Sequence, residues 1–414
     1  MTFNIQQKHA LFVFLSLLII FSGCGKKKTS TTKTKQAKAK EIQIDTALSH
    51  RLDEFAKMPK PSGKFGFYVY DLTAGKSVYA FKEHDAMPSA SCMKLLTGIA
   101  GINLLGPRYT YNTITSVSGS TSNGTLNGDI FFKGGMDPLF NEDDIKEHAK
   151  SIKQKGIKNI TGKVYISLAM REPVKAEPHW YPWDLSFHNY GLFYKGEDKV
   201  RQALKTAMKA QGIAVTDSQL VLERKDNAKA KNICMTIHPM TDVINKMWKN
   251  SSNTQATSLL YTIGHHINKL SDHPENVGVK YLRYFIKRKI GVKDTNIVIH
   301  DGCGLCTENH LSPYALVKIL SYGYRHQYMY KIMKNELSIS GIDGTVKALL
   351  RNEKLRGRIH AKTGTLSHPY GISSLAGYCK AANGHTLAFA IMGSDMSVLD
   401  TRELEKKLCM LMIK

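Results

Sequence analysis

A chain of 414 residues with 42% apolar side chains is large enough to bury a core, so its seven cysteines need not form a disulfide framework. The net charge of +24 suits an acidic polymer as partner. Nucleic acid would suit the same charge, but no nucleic-acid-binding motif is present and the amino terminus points to export.

Lys8 supplies positive charge, residues 10–21 form an apolar run, and Gly23-Cys24 follows. The run is too short to span a membrane and matches a secretory signal peptide over residues 1–24. Its ending, Ser22-Gly23-Cys24, resembles a bacterial lipoprotein signal, although Phe21 departs from the usual leucine. That resemblance implies lipid on Cys24, a membrane anchor and a periplasmic location. Residues 25–45 then form a basic disordered tether, with lysines at 26, 27, 28, 33, 35, 38 and 40. Such composition buries too little apolar surface to offset chain entropy, and a basic arm can lie on anionic headgroups.

The first hairpin is expected where residues 65–70 and 77–81 flank Gly75. Ser91-Cys92-Met93-Lys94 follows, opening an apolar helix from Ser91 to Leu105. Residues three apart share a helical face, so the Ser91 hydroxyl and Lys94 amine fall within hydrogen-bond reach. A serine needs a neighbouring base to become a nucleophile, and burial beside a helix N-terminus favours a neutral lysine. Taken alone, Ser91 is equally a helix cap. Ser30-Thr31-Thr32-Lys33 has the same spacing in the tether, where no apolar periodicity could bury the lysine.

An insert is expected over 109–190, with strand-like stretches at 125–132 and 161–168 around a helix from Glu142 to Lys155 capped by Asn141. Trp180-Tyr181-Pro182-Trp183 suits either a stacking platform for a sugar or the core of a domain interface. Ser251-Ser252-Asn253 is a polar triplet of the kind that caps helices. His265-His266 suits a solvated helix surface, and the 16 histidines form no metal-ligand motif along the chain. Asp301-Gly302-Cys303-Gly304-Leu305-Cys306 contains Cys-x-x-Cys, but no second pair or His-x-x-x-His completes a zinc set. A local disulfide between Cys303 and Cys306 stays open, and Cys92 is expected to be a packing residue. In Lys362-Thr363-Gly364-Thr365, the glycine would let a substrate backbone lie against a strand. Asn383-Gly384 between residues 375–380 and 385–392 is a hairpin turn, and a helix closes the chain from about Leu399.

Three motifs in this order, Ser91 to Lys94, Ser251 to Asn253 and Lys362 to Thr365, form the signature of serine β-lactamases and penicillin-binding proteins. With Asp301 to Cys306 and Ile342-Asp343-Gly344-Thr345, the chain beyond residue 46 resembles the class C low-molecular-mass penicillin-binding proteins, the D-alanyl-D-alanine carboxypeptidase/endopeptidase family. That resemblance implies an α+β, transpeptidase-like fold: an antiparallel sheet flanked by terminal helices, with an all-helical subdomain on the other face. The implied domains are 46–108 with 191–414, and a small α/β insert at 109–190, shorter than usual and lacking a second nested insert.

It implies Ser91 as nucleophile on peptidoglycan stem peptides and Lys94 as its base. Ser251 would pass a proton to the leaving amine, Asn253 would hold the substrate amide, and Lys362 would supply positive potential. Thr363, Gly364 and Thr365 would bind substrate, with the amides of Ser91 and Thr365 as the oxyanion hole. No cofactor or metal is implied, and β-lactams would be covalent inhibitors. The family usually has serine where Cys303 and Cys306 stand. Two alternatives share the motifs: a β-lactamase, whose glutamate loop is not visible, and a non-catalytic peptidoglycan-binding lipoprotein.

Overall fold

The computed structural model describes residues 42–367 and 371–414. The expected signal peptide, Cys24 and tether residues up to 41 lie outside the described residues.

Asp45 starts α1 (Thr46–Lys57) by accepting from the Leu48 amide at 2.9 Å. Leu48, Leu52 and Phe55 recur at helical spacing and are buried. β1 (Lys64–Asp71) and β2 (Lys76–Phe81) form the first hairpin, turning at Gly75 with φ +69°. α2 (Met93–Leu105) is apolar on nearly every side and accordingly sits in the centre of the molecule.

The insert then builds its own mixed sheet. Its elements are β3 (Thr110–Val117), β4 (Ile130–Lys133), α3 (Glu142–Gln154), β5 (Val164–Ser167), α4 (Glu197–Ala210), β6 (Leu220–Leu222) and β7 (Lys231–Pro239). The strand order is β6-β5-β4-β3-β7, and α3 packs on α4. Asn141 caps α3 in a capping box closed by Asp144, as the sequence suggested. The expected boundary at Tyr190 is wrong. Residues 191–239 belong with the insert, because β7 pairs with β3 from Lys231 opposite Val117 to Pro239 opposite Thr110. The backbone of β3 needs a partner, and that partner returns more than a hundred residues later. Ile233, Met235 and Ile237 alternate along β7, an overlooked strand signal, and Met235 and Ile237 stay exposed.

Beyond Pro239 come the helices α5 (Met240–Lys249), α6 (Asn253–Ile267), α7 (Pro274–Tyr284), α8 (Pro313–Arg325) and α9 (Gln327–Glu336). The main sheet is completed by β8 (Ser338–Ile339), β9 (Ile359–Leu366), β10 (Ile372–Lys380) and β11 (Thr386–Ser394), and α10 (Val398–Ile413) ends the chain. Its order is β8-β9-β10-β11-β1-β2, antiparallel throughout.

Alternation along the central strands separates two cores. Phe65, Phe67 and Val69 of β1, with Leu387, Phe389 and Ile391 of β11, pack under α1 and α10. Tyr68, Ala388, Ala390 and Met392 point the other way, toward α8 and the helical subdomain. Within that subdomain α2 lies against α5, α6 and α8. Gly98 lets the Trp248 ring lie against α2, since a Cβ there would be 2.3 Å from it. The Trp248 indole in turn donates to the Lys94 carbonyl at 2.8 Å, fixing the first turn of α2.

Candidate active site

The Ser91 turn is a short 3-10 segment, Ala90–Cys92, that runs into α2. Ala90 has φ +43°, an uncommon conformation for a residue with a side chain. The expected helix therefore begins at Met93, and Ser91 sits on the turn before it. Lys94 is fully buried. Its Nζ donates to Ser91 Oγ at 2.8 Å, Asn253 Oδ1 at 2.7 Å and the Cys303 carbonyl at 2.5 Å. Burial pushes its pKa down to about 8 from 10.5. The neutral amine can take the Ser91 proton across the same hydrogen bond.

The Cys303 carbonyl is presented by a loop organised around Asp301, itself buried. Asp301 Oδ1 accepts from the amides of Cys303 (3.0 Å) and Gly304 (2.6 Å) and from Asn309 Nδ2 (2.8 Å). Its Oδ2 accepts from the Cys306 amide and the Trp180 indole, both at 2.8 Å. Gly304 has φ +80°, and a Cβ on it would sit 1.9 Å from the Ala90 carbonyl. The loop thus nests under the Ser91 turn. Cys303 and Cys306 are buried free thiols, as are the other described cysteines except half-buried Cys234, also free, which leaves no local disulfide. Cys92 packs internally with its thiol 3.3 Å from the Lys362 carbonyl.

The Ser251-Ser252-Asn253 triplet divides its work. Ser252 is the helix cap, its hydroxyl accepting from the Gln255 amide, and Asn253 is the first residue of α6. Ser251 takes φ +58°, and strain of this kind is concentrated at functional sites. Lys249 anchors the turn through Asp343 at 2.7 Å, while its carbonyl accepts from the Ser338 hydroxyl and the Thr345 amide. Lys362 of β9 donates to Ser251 Oγ at 2.8 Å. It too is fully buried, and burial followed by the nearby Lys94 charge pushes it down to about 7. Two buried ammonium groups disfavour each other, so near neutrality the pair sheds a proton.

Thr363 and Thr365 line a cavity of about 350 Å³ together with Ser91 and Ser251. Gly364 is not among its walls. A Cβ there would lie 2.2 Å from Ser374 Oγ and 3.0 Å from the Ser91 nitrogen. Its missing side chain makes room for the Ser91 turn against β9.

Sequence reasoning gave no site role to six residues on the cavity wall: Thr345, Leu349, Ser373, Ser374, Arg402 and Glu405. Thr345 accepts from Thr363 Oγ1 at 2.7 Å, and Arg402 Nη2 is 3.4 Å from Thr365 Oγ1. Glu405, fully buried, accepts from Ser373 Oγ at 2.9 Å, and burial pushes its carboxyl up to about 8. Polar residues three apart on the buried side of the last helix were the available signal. A larger cavity, about 920 Å³, opens between α1 and α10 but is lined by no serine, threonine or cysteine.

The Trp180 cluster also divides. Trp180 is buried and stacks on His188, with ring centroids 5.0 Å apart. Tyr181 and Trp183 stack on each other at 4.8 Å, and Trp183 is 56% exposed. His265 is half-buried and His266 exposed near the end of α6.

An antiparallel sheet with terminal helices on one face and a helical subdomain on the other, holding a half-buried serine on a buried lysine in the gap, is the penicillin-binding, transpeptidase-like class of serine enzyme. The family model of the D-Ala-D-Ala carboxypeptidase 3 (S13) family matches residues 48–190 and 194–413, and the chain belongs to that family. It is similar to the D-alanyl-D-alanine carboxypeptidase DacB of Haemophilus influenzae, with 21% identity covering 80% of this chain and 85% of that one. Among solved structures it resembles penicillin binding protein 4 from Haemophilus influenzae at TM-score 0.70 and 18% identity, covering 87% of this chain and 98% of the other. A predatory peptidoglycan endopeptidase from Bdellovibrio bacteriovorus has TM-score 0.58 and 16% identity, with 84% and 93% covered.

The Asp301 hub yields a direct test. Trp180→Phe keeps the ring but removes one hydrogen bond to a buried carboxylate, a loss of about 1.5–3 kcal/mol. Urea unfolding should show a lower midpoint, and an unchanged midpoint would contradict the role of that bond.

Proposed function

We propose that the chain is a serine D-alanyl-D-alanine carboxypeptidase and endopeptidase of peptidoglycan stem peptides, working through an acyl-enzyme on Ser91. The observation that carries this reading is the triangle made by Lys94 Nζ with Ser91 Oγ and Asn253 Oδ1, with Lys362 on Ser251 beside it. Ser91 Oγ attacks the carbonyl carbon of the penultimate D-alanine, and Lys94 takes the hydroxyl proton. The amides of Ser91 and Thr365 receive the developing oxyanion. The carbon–nitrogen bond then breaks. Ser251, held by Lys362, delivers a proton to the leaving amine and is resupplied with the one Lys94 had taken, so the amine departs as D-alanine or as the amino group of a cross-link and Lys94 is neutral again. Water, deprotonated by the same lysine, releases the acyl group and restores Ser91.

Thr363 and Thr365 face the cavity and suit the terminal carboxylate, while Asn253 suits the scissile amide. A carboxylate bound there favours the charged form of Lys362, which leaves Lys94 as the neutral member of the pair. Penicillin binding protein 4 from Haemophilus influenzae has been solved with a β-lactam, and the Bdellovibrio endopeptidase acylated by penicillin G. By that likeness β-lactams acylate Ser91 here. The transpeptidase-like part is assigned to 46–108 and 240–414, and the insert to 109–239. Export and lipid anchoring through Cys24 rest on the apolar run at 10–21 and the Gly23-Cys24 junction.

The decisive experiment is labelling with fluorescent penicillin, followed by turnover of purified muropeptides. The native chain should take up one label and release D-alanine. Ser91→Ala should do neither, and Lys94→Ala should acylate about 10²–10⁴-fold more slowly, the share of a positioned base. Labelling of Ser91→Ala would exclude the mechanism, and rapid release of the label would indicate a β-lactamase.

Because Lys94 is a base only when neutral, and its pKa is depressed to about 8, acylation should slow below that pH and level off above it. A rate still climbing beyond pH 10 would mean an unperturbed lysine. Cys24→Ala should move the protein from the membrane fraction to the soluble fraction, and an unchanged distribution would count against the lipid anchor.

A further inference from the structure

We propose that His179, His300 and Glu308 form a binding site for a divalent transition metal of the zinc class, joining the segment between β5 and α4 to the Asp301 loop. The three residues are distant in sequence, and no spacing motif announces them. Their ligand atoms nevertheless lie within 4.8 Å of one another. Glu308 Oε2 is 3.5 Å from His179 Nδ1 and 3.5 Å from His300 Nε2, and the two imidazole centroids are 4.1 Å apart. Tetrahedral zinc with nitrogen and oxygen ligands at about 2.0–2.2 Å places those atoms roughly 3.4 Å apart. The two Glu308 separations are already close to that value, and the His179–His300 separation, within 4.8 Å, closes by a turn of either imidazole. Two imidazoles and one carboxylate favour zinc and its neighbours over magnesium or calcium, which prefer oxygen.

The backbone that carries these ligands is already fixed. Each ligand precedes a member of the Asp301 network: His179 stands before Trp180, His300 before Asp301, and Glu308 before Asn309. The His300 amide itself donates to Asn309 Oδ1 at 2.6 Å. The hydrogen bonds that present the Cys303 carbonyl to Lys94 thus also hold the three side chains on one patch of surface. Three protein ligands leave the fourth position to water, and the partial exposure of all three lets a metal enter from solvent. Occupancy would close a second link between the two segments, outside the buried Trp180–Asp301 bond.

The test uses the full chain, stripped by chelator and titrated with Zn²⁺ by calorimetry, with Co²⁺ as a spectroscopic probe of geometry. The native chain should bind one equivalent tightly and give the intense visible absorption of tetrahedral Co²⁺. His179→Ala and Glu308→Gln, both at the surface, should still be labelled by penicillin, showing that they are folded. Each should weaken Zn²⁺ binding by more than the roughly 10–100-fold that loss of an outer-shell partner costs. Equal binding in native and variant chains would place the metal on other histidines and overturn the proposal, as would an octahedral Co²⁺ spectrum in the native chain.

Discussion

An ammonium-bearing side chain removed from water must find acceptors, and the architecture around the site follows from meeting that need at Lys94. Leaving such a group buried and unpaired costs several kcal/mol. Lys94 has three donors and three acceptors, supplied by the Ser91 turn, the start of α6 and the Asp301 loop. These elements must converge to within a fraction of an ångström. Each approach is made possible by a missing side chain: Gly364 under Ser91, Gly304 under Ala90, and Gly98 under Trp248. Chemistry and packing here are one constraint.

The second lysine gives the site its electrostatic character. Lys362 is as buried as Lys94, and the described residues place no carboxylate within ion-pair distance of either. The protein thereby holds positive potential over a cavity that has room for an anion, and it bears the cost of doing so. Ala90 and Ser251, both with positive φ, carry backbone strain for the same purpose, because each turns a hydroxyl toward the cavity. Local irregularity, shielded amines and a polar-walled cavity are parts of a single preorganised arrangement.

The chemistry was legible wherever it resided in short contiguous stretches. Ser91 with Lys94, Ser251 with Asn253, and Lys362 with Thr365 were identifiable because helix and strand periodicities bring near neighbours together. Both hairpins and the α3 capping box were readable for the same reason. Residues that act through tertiary contact left no such trace. Trp180 reaches Asp301 across 121 positions, and Arg402 and Glu405 enter the cavity from the last helix. The alternation of Ile233, Met235 and Ile237 marks β7 as a strand, but its partner lies more than a hundred residues earlier, so only the backbone pairing assigns it to the insert. At Gly364 the chain pattern shows where a side chain is absent, but not that the Ser91 turn and Ser374 crowd that position.

Pro239 ends the insert's sheet, and Met240 begins α5 with no connecting residue between them. Most inserted modules hang from slack loops and can drift independently of their host. Here the strand passes directly into a ten-residue helix, a stiff rod about 15 Å long whose far end is the Ser251 turn. A tilt of the inserted sheet would therefore be carried along α5 to the Ser251 turn rather than absorbed in a loop.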